Sequence, residues 1–137
     1  MADIKKSWAK TSKNEAGYAN NSKDTGKETW RGIAIVFNPE WKGWAIIHKA
    51  IADLGITNTL DCSKETRQRI DKALYAIPEL DELVMELYKT KYWDPLKLDD
   101  EKDQLLADTV FDAAVLMGME REKKFIEQSR KEADEIV

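Results

Sequence analysis

The sequence predicts an all- or mainly-α fold: one helical domain with a short irregular or hairpin segment near residues 17–31. Three observations predict it. Apolar residues recur at three- and four-residue spacing through most of the 137 positions, the pattern of amphipathic helices. Asp, Ser, Asn and Pro stand where such runs begin, as capping residues do. Residues 17–31 have no helical period and are rich in the Gly, Asn, Ser and Asp that favour turns.

The elements follow in order. Asp3 is available to cap a helix over residues 3–15, with Ile4 and Trp8 on one face. After the turn-rich segment, Asn38-Pro39-Glu40 reads as a cap, a first-turn proline and a first-turn acid. The helix they open carries Trp41, Trp44, Ile47, His48 and Ile51 on one face and stops near Gly55. Ser63 caps a third helix to about Ala76, and Pro78 starts a fourth with Leu80, Leu83, Val84, Leu87 and Tyr88 inward. Pro95 ends that run. A fifth helix begins in the acidic residues 99–103, and Gly118 reads as its C-terminal stop. Residues 119–136 have helical propensity with few apolar positions.

Composition removes several classes of function. Hydrophobic residues make up 42% and charged residues 35%, a globular balance rather than a disordered one. No apolar run nears the roughly 20 residues that span a bilayer, so membrane insertion is not expected. The first thirty residues lack the apolar stretch of a secretory signal, so synthesis is expected in the cytoplasm, by an export route the sequence does not name. Cys62 is the only cysteine and His48 the only histidine, which excludes an internal disulfide and zinc sites of the usual kind. The run 99–103 lacks the glycine-centred spacing of a calcium loop. No metal or cofactor is expected.

The net charge of -4 is uneven. Residues 1–31 hold seven basic and four acidic side chains, and the remainder holds 15 basic and 22 acidic. This basic N-terminal segment suggests an anionic partner. The acidic balance of the whole chain and the lack of a nucleic-acid motif argue against DNA or RNA. Oligomeric state is not legible.

Glu15 and Asp24 stand out as a pair of acids. Glu15 ends the helix that bears Ile4 and Trp8, where its carboxyl can enter a cleft beside apolar side chains. Such a wall keeps a carboxylic acid protonated. Asp24 lies nine residues on, in a polar loop that can fold back to face it. One protonated and one ionised carboxyl across a cleft is what hydrolysis of a glycosidic bond requires. Thr29 follows, with a hydroxyl that can hold a water. Plainer readings stand beside these: Asp24 as the brace of its own turn, and Thr29 as a local backbone cap. Trp93 reads as core.

At these residues the chain resembles glycoside hydrolase family 108, a group of phage and bacterial N-acetylmuramidases. Glu15-Ala16-Gly17-Tyr18 is similar to the family's Glu-Gly-Gly-Tyr motif. Asp24-Thr25-Gly26-Lys27-Glu28-Thr29, followed by Gly32-Ile33, is similar to its Asp-Pro-Gly-Gly-x-Thr loop and Gly-Ile pair. Tyr88-Lys89-Thr90-Lys91-Tyr92-Trp93-Asp94-Pro95 resembles its Tyr-x3-Tyr-Trp-x-Pro segment. The run from Phe111 to Gly118 resembles the Phe-Asp-x-Ala-Val-x-x-Gly helix that opens an associated peptidoglycan-domain region. Four ordered motifs cover about residues 10–118.

The resemblance implies a lysozyme-like fold, peptidoglycan as the partner and the bacterial cell wall as the place of action. The bond it implies is the β-1,4 link between N-acetylmuramic acid and N-acetylglucosamine. It makes Glu15 the catalytic acid, and the Glu-x8-Asp-x4-Thr spacing, similar to that of phage-type lysozymes, adds Asp24 and Thr29 as helpers. Tyr18, Asn20, Trp30 and Tyr92 are the expected substrate-binding residues, since aromatic rings can stack on the flat faces of sugars. The resemblance divides the chain into a muramidase-like region, 1–98, and an abbreviated peptidoglycan-domain-like helical region, 99–137, packed on it as one domain. Ala16, Thr25 and Lys27 depart from the family's Gly, Pro and Gly, and Arg31 stands where an aromatic is usual. The altered loop leaves an alternative: a non-catalytic peptidoglycan-binding or secretion-accessory protein.

Overall fold

The computed structural model describes residues 1–12, 17–23, 27–118 and 121. The fold is mainly α. Helix α1 (Ile4–Thr11) leads into three short strands, β1 (Tyr18–Asn20), β2 (Glu28–Trp30) and β3 (Ile33–Ala34), and then into α2 (Gly43–Asp53), α3 (Lys64–Tyr75) and α4 (Pro78–Tyr88). A π turn, Lys89–Trp93, and two 3-10 turns, Asp94–Leu96 and Leu98–Asp100, connect α4 to a last helix, α5, at residues 104–118. The strands form one antiparallel sheet in the order β1-β2-β3, where the sequence leads one to expect an irregular or hairpin segment.

Caps act largely where their chemistry predicts. The Asp3 carboxylate accepts the Lys5 amide at 2.9 Å, and the Ser63 hydroxyl accepts the Thr66 amide at 3.2 Å. Pro78 sits in the first turn of α4, where a missing N–H costs nothing. The acidic run opens the helix as expected, but only through its last member. Residues 98–100 close a 3-10 turn, and Asp103 caps α5 by accepting the Leu105 amide at 3.0 Å.

Helix α2 also starts later than Asn38-Pro39 suggests. The Asn38 side chain donates back to the Ala34 carbonyl at 3.0 Å instead of accepting from a helix N–H. Its own carbonyl receives the Trp44 indole N–H at 2.9 Å. Asn38 therefore closes the exit from β3, and the helix begins at Gly43.

The core gathers Trp8, Trp30, Ile47, Ile70, Leu74, Leu80, Val84, Trp93 and Phe111 from α1, the sheet and every later helix. A polar seam joins α1 to α5. Asp108 accepts from Ser7 and from the Lys10 ammonium, both at 2.5 Å, and from Gln104 at 2.7 Å. Burial works against the charged carboxyl, but these donors outweigh it and hold Asp108 at about 2. Its stabilising share is therefore complete above the ordinary carboxylate range and is lost as pH falls through about 2.

Candidate active site

The short sheet has two unlike faces. Tyr18 pairs with Trp30, Ala19 with Thr29 and Asn20 with Glu28, and β3 adds Thr29 with Ala34 and Trp30 with Ile33. Directly paired residues share a face. Tyr18, Asn20, Glu28, Trp30 and Ile33 therefore lie on one side, and Ala19, Thr29 and Ala34 on the other. Thr29 is half-buried on the middle strand between two alanines.

The first face is occupied. Trp30 is 1% exposed and packs its ring 4.9 Å from that of Tyr75. Tyr18 is 3% exposed; its hydroxyl donates to Glu28 Oε2 at 2.8 Å and lies 2.9 Å from the Thr59 hydroxyl. Burial, reinforced by the Glu28 carboxylate and only partly offset by Thr59, pushes the Tyr18 phenol up. Asn20 donates to Thr59 at 2.9 Å, and His48 Nε2 lies 3.0 Å from both Glu28 oxygens. This network ties the hairpin to α2 and to the loop after it. Beside it opens a pocket of about 440 Å³ lined by Glu28, His48, Ile51, Ile56, Thr57 and Thr59.

These positions correct part of the expected substrate surface. Tyr18 and Trp30 are core side chains whose rings offer no flat face to a sugar, and Asn20 braces the hairpin through Thr59. Tyr92 is half-buried and stacks on Tyr88 with ring centres 5.8 Å apart. Glu15 and Asp24 lie outside the described residues, Glu15 in the connection from α1 to β1 and Asp24 in that from β1 to β2.

Close to Glu15 in sequence, the structure adds a residue that sequence reasoning missed. The Asp71 carboxylate on α3 accepts the Tyr18 amide at 2.8 Å and lies against Gly17. A Cβ at Gly17 would sit 2.5 Å from both Asp71 oxygens, so a larger residue in the Glu-Ala-Gly-Tyr segment would displace the Asp71 carboxylate from this approach. Glu28 and His48 were likewise missed as a pair, being twenty residues apart. Among the described residues no group of three or more His, Cys, Asp or Glu could hold a metal ion.

Trp30 and Ile33 are joined by the two-residue turn Arg31-Gly32, with φ of 48° and 82°. Two positive φ values match the twist of a tight hairpin, and Gly32 adopts its value without strain. Arg31 is held there from several directions. It is 5% exposed, its guanidinium lies 5.2 Å from the Trp8 ring centre and 5.4 Å from that of Tyr75, and it pairs with Asp81 at 2.5 Å. Its carbonyl accepts the Tyr88 hydroxyl at 2.6 Å. A planar, stacking cation thus fills a place between rings.

The sequence model of the family described as glycosyl hydrolase 108 matches residues 8–118. The chain belongs to glycosyl hydrolase family 108. It is a glycoside hydrolase. No curated protein and no solved structure gives a match. Within this glycosyl hydrolase 108 domain the two C-terminal motifs close on each other. Trp93 and Phe111 meet edge to face at 5.4 Å, and Asp112 accepts from Thr11 at 3.1 Å. A Cβ on Gly118 would overlap the Tyr92 ring. Gly118, the last residue of α5, is therefore also required by packing, which the sequence alone does not show. No helix among the described residues is long and apolar enough to cross a membrane.

Proposed function

We propose that this glycoside hydrolase cleaves the β-1,4 bond between N-acetylmuramic acid and N-acetylglucosamine in peptidoglycan, acting at the bacterial cell wall. Glu15 is the general acid and protonates the leaving oxygen. Asp24 is the ionised partner that activates a water, and Thr29 helps to hold that water. The observation that carries the reading is the family match over residues 8–118, which includes all three side chains. Two features support it. Thr29 stands on the sheet face that bears only small neighbours, and Asp71 fixes the backbone just after the Glu15 segment. The basic N-terminal segment suits a polymer whose peptide stems carry carboxylates.

Glu15→Gln tests the reading. The variant keeps the size of the side chain but has no proton to transfer, so release of reducing ends from purified cell wall should fall about a hundred- to ten-thousand-fold. Wall binding in a pelleting assay should not change. Turnover near that of the unaltered protein would remove Glu15 from the mechanism. Wall binding without turnover in the unaltered protein would establish a binding role instead.

A further inference from the structure

Helix α5 has two apolar faces, and among the described residues only one is covered. Ala107, Phe111 and Val115 are buried against the rest of the fold. On the opposite side, Leu105, Leu106, Thr109, Ala113, Leu116 and Met117 are all exposed. The four large side chains are 49–70% exposed, and they are four of the nine large apolar side chains exposed among the described residues. The stripe carries no charge, although 35% of the chain is charged. Its one polar group is turned away, because the Thr109 hydroxyl donates to the Leu105 carbonyl at 3.0 Å and leaves its methyl outward. A contiguous apolar patch of this kind marks an interface.

The stripe is symmetric about its own middle. Counting outward from position 111, Thr109 mirrors Ala113, Leu106 mirrors Leu116 and Leu105 mirrors Met117. Small side chains lie at the centre and large ones at both ends, over about 18 Å of helix. A two-fold interface brings a surface onto itself, so two such helices laid antiparallel would set leucine against leucine and small against small. The charges at the ends choose the same direction. Asp99, Asp100, Glu101 and Asp103, with Lys102 among them, stand at the N-terminal end, and the exposed, helical Arg121 stands towards the other. Antiparallel packing sets acids beside an arginine and opposes the helix dipoles, whereas parallel packing sets acid beside acid.

We propose that this face of α5 binds a second copy of the chain, forming an antiparallel, two-fold dimer in which Leu106 of one copy meets Leu116 of the other. Six side chains are far fewer than the roughly 20–30 residues per side of a standard interface. The dimer is therefore concentration-dependent rather than permanent.

Sedimentation of the full chain across a wide concentration range tests this. The weight-average mass should climb from that of one chain towards that of two. Leu106→Glu and Leu116→Lys, each at an exposed position, should leave the thermal melt unchanged and weaken self-association by roughly tenfold or more. An equimolar mixture of the two variants should recover association, because antiparallel register sets the new acid against the new base. A chain that stays monomeric at its highest soluble concentration would overturn the proposal and give the face to another occupant. Single variants that still dimerise would overturn the surface, and a mixture that fails to recover would overturn the register.

Discussion

The two faces of the three-stranded sheet divide the labour of this small fold. On one, Tyr18, Glu28 and Trp30 are locked into the core or into hydrogen bonds with His48 and Thr59. On the other, Thr29 stands between Ala19 and Ala34 with no large neighbour along its strands. Aromatic and charged residues invite a binding role, yet here they hold the platform together. The other face carries small side chains, with Ala34 buried and Thr29 half-buried. Hairpins of three residues per strand have little intrinsic stability, and fixing one face to the core is how so short a sheet keeps its register.

The largest effect should come from the supporting face. Trp30→Ala removes a fully buried ring and should destabilise the protein by about 3–5 kcal/mol, read as a fall in denaturant midpoint. A loss under about 1 kcal/mol would show that the ring is not part of the core. Tyr18→Phe is gentler. It removes one hydroxyl from the network and leaves His48 on Glu28, so about 1–2 kcal/mol is expected by chemical denaturation. The smallest change in stability belongs to the face of small side chains. Thr29→Val should move the midpoint by no more than about 0.5 kcal/mol while wall hydrolysis falls about tenfold, the value of one hydrogen bond lost in the transition state. If Thr29→Val instead unfolds the protein and leaves the rate per folded molecule intact, the two faces do not divide in this way.

Much of the fold was legible because its signals are local. The Asp3 and Ser63 caps, the proline at α4 and the apolar stripes of α3 and α4 depend on residues within one or two turns of each other. The site was less legible because its contacts are not. A strand of three residues offers a single alternation, too short to tell which side of the sheet Tyr18 or Trp30 would take. Asp71 meets Tyr18 across 53 positions, and nothing near it in sequence announces that. Gly118 has a second role for a related reason. A glycine late in a helical run reads as a stop, and here it also gives way to the ring of Tyr92 from another element. Asn38 misled because its amide had a nearer carbonyl to bind than the helix it was expected to open.

The Arg31–Asp81 pair carries a consequence for how such a chain can change over generations. Its two ends are unequal: the Arg31 side chain is 6% exposed and that of Asp81 is 55% exposed. A lost arginine leaves an aspartate that water can solvate, whereas a lost aspartate takes an anion away from a buried guanidinium. The order of substitution at the two positions therefore matters: an acid placed at 81 beside an uncharged residue at 31 costs little, whereas an arginine at 31 without that acid loses its anion. Losing the exposed partner therefore costs more than its exposure suggests, because the cost falls on the buried one.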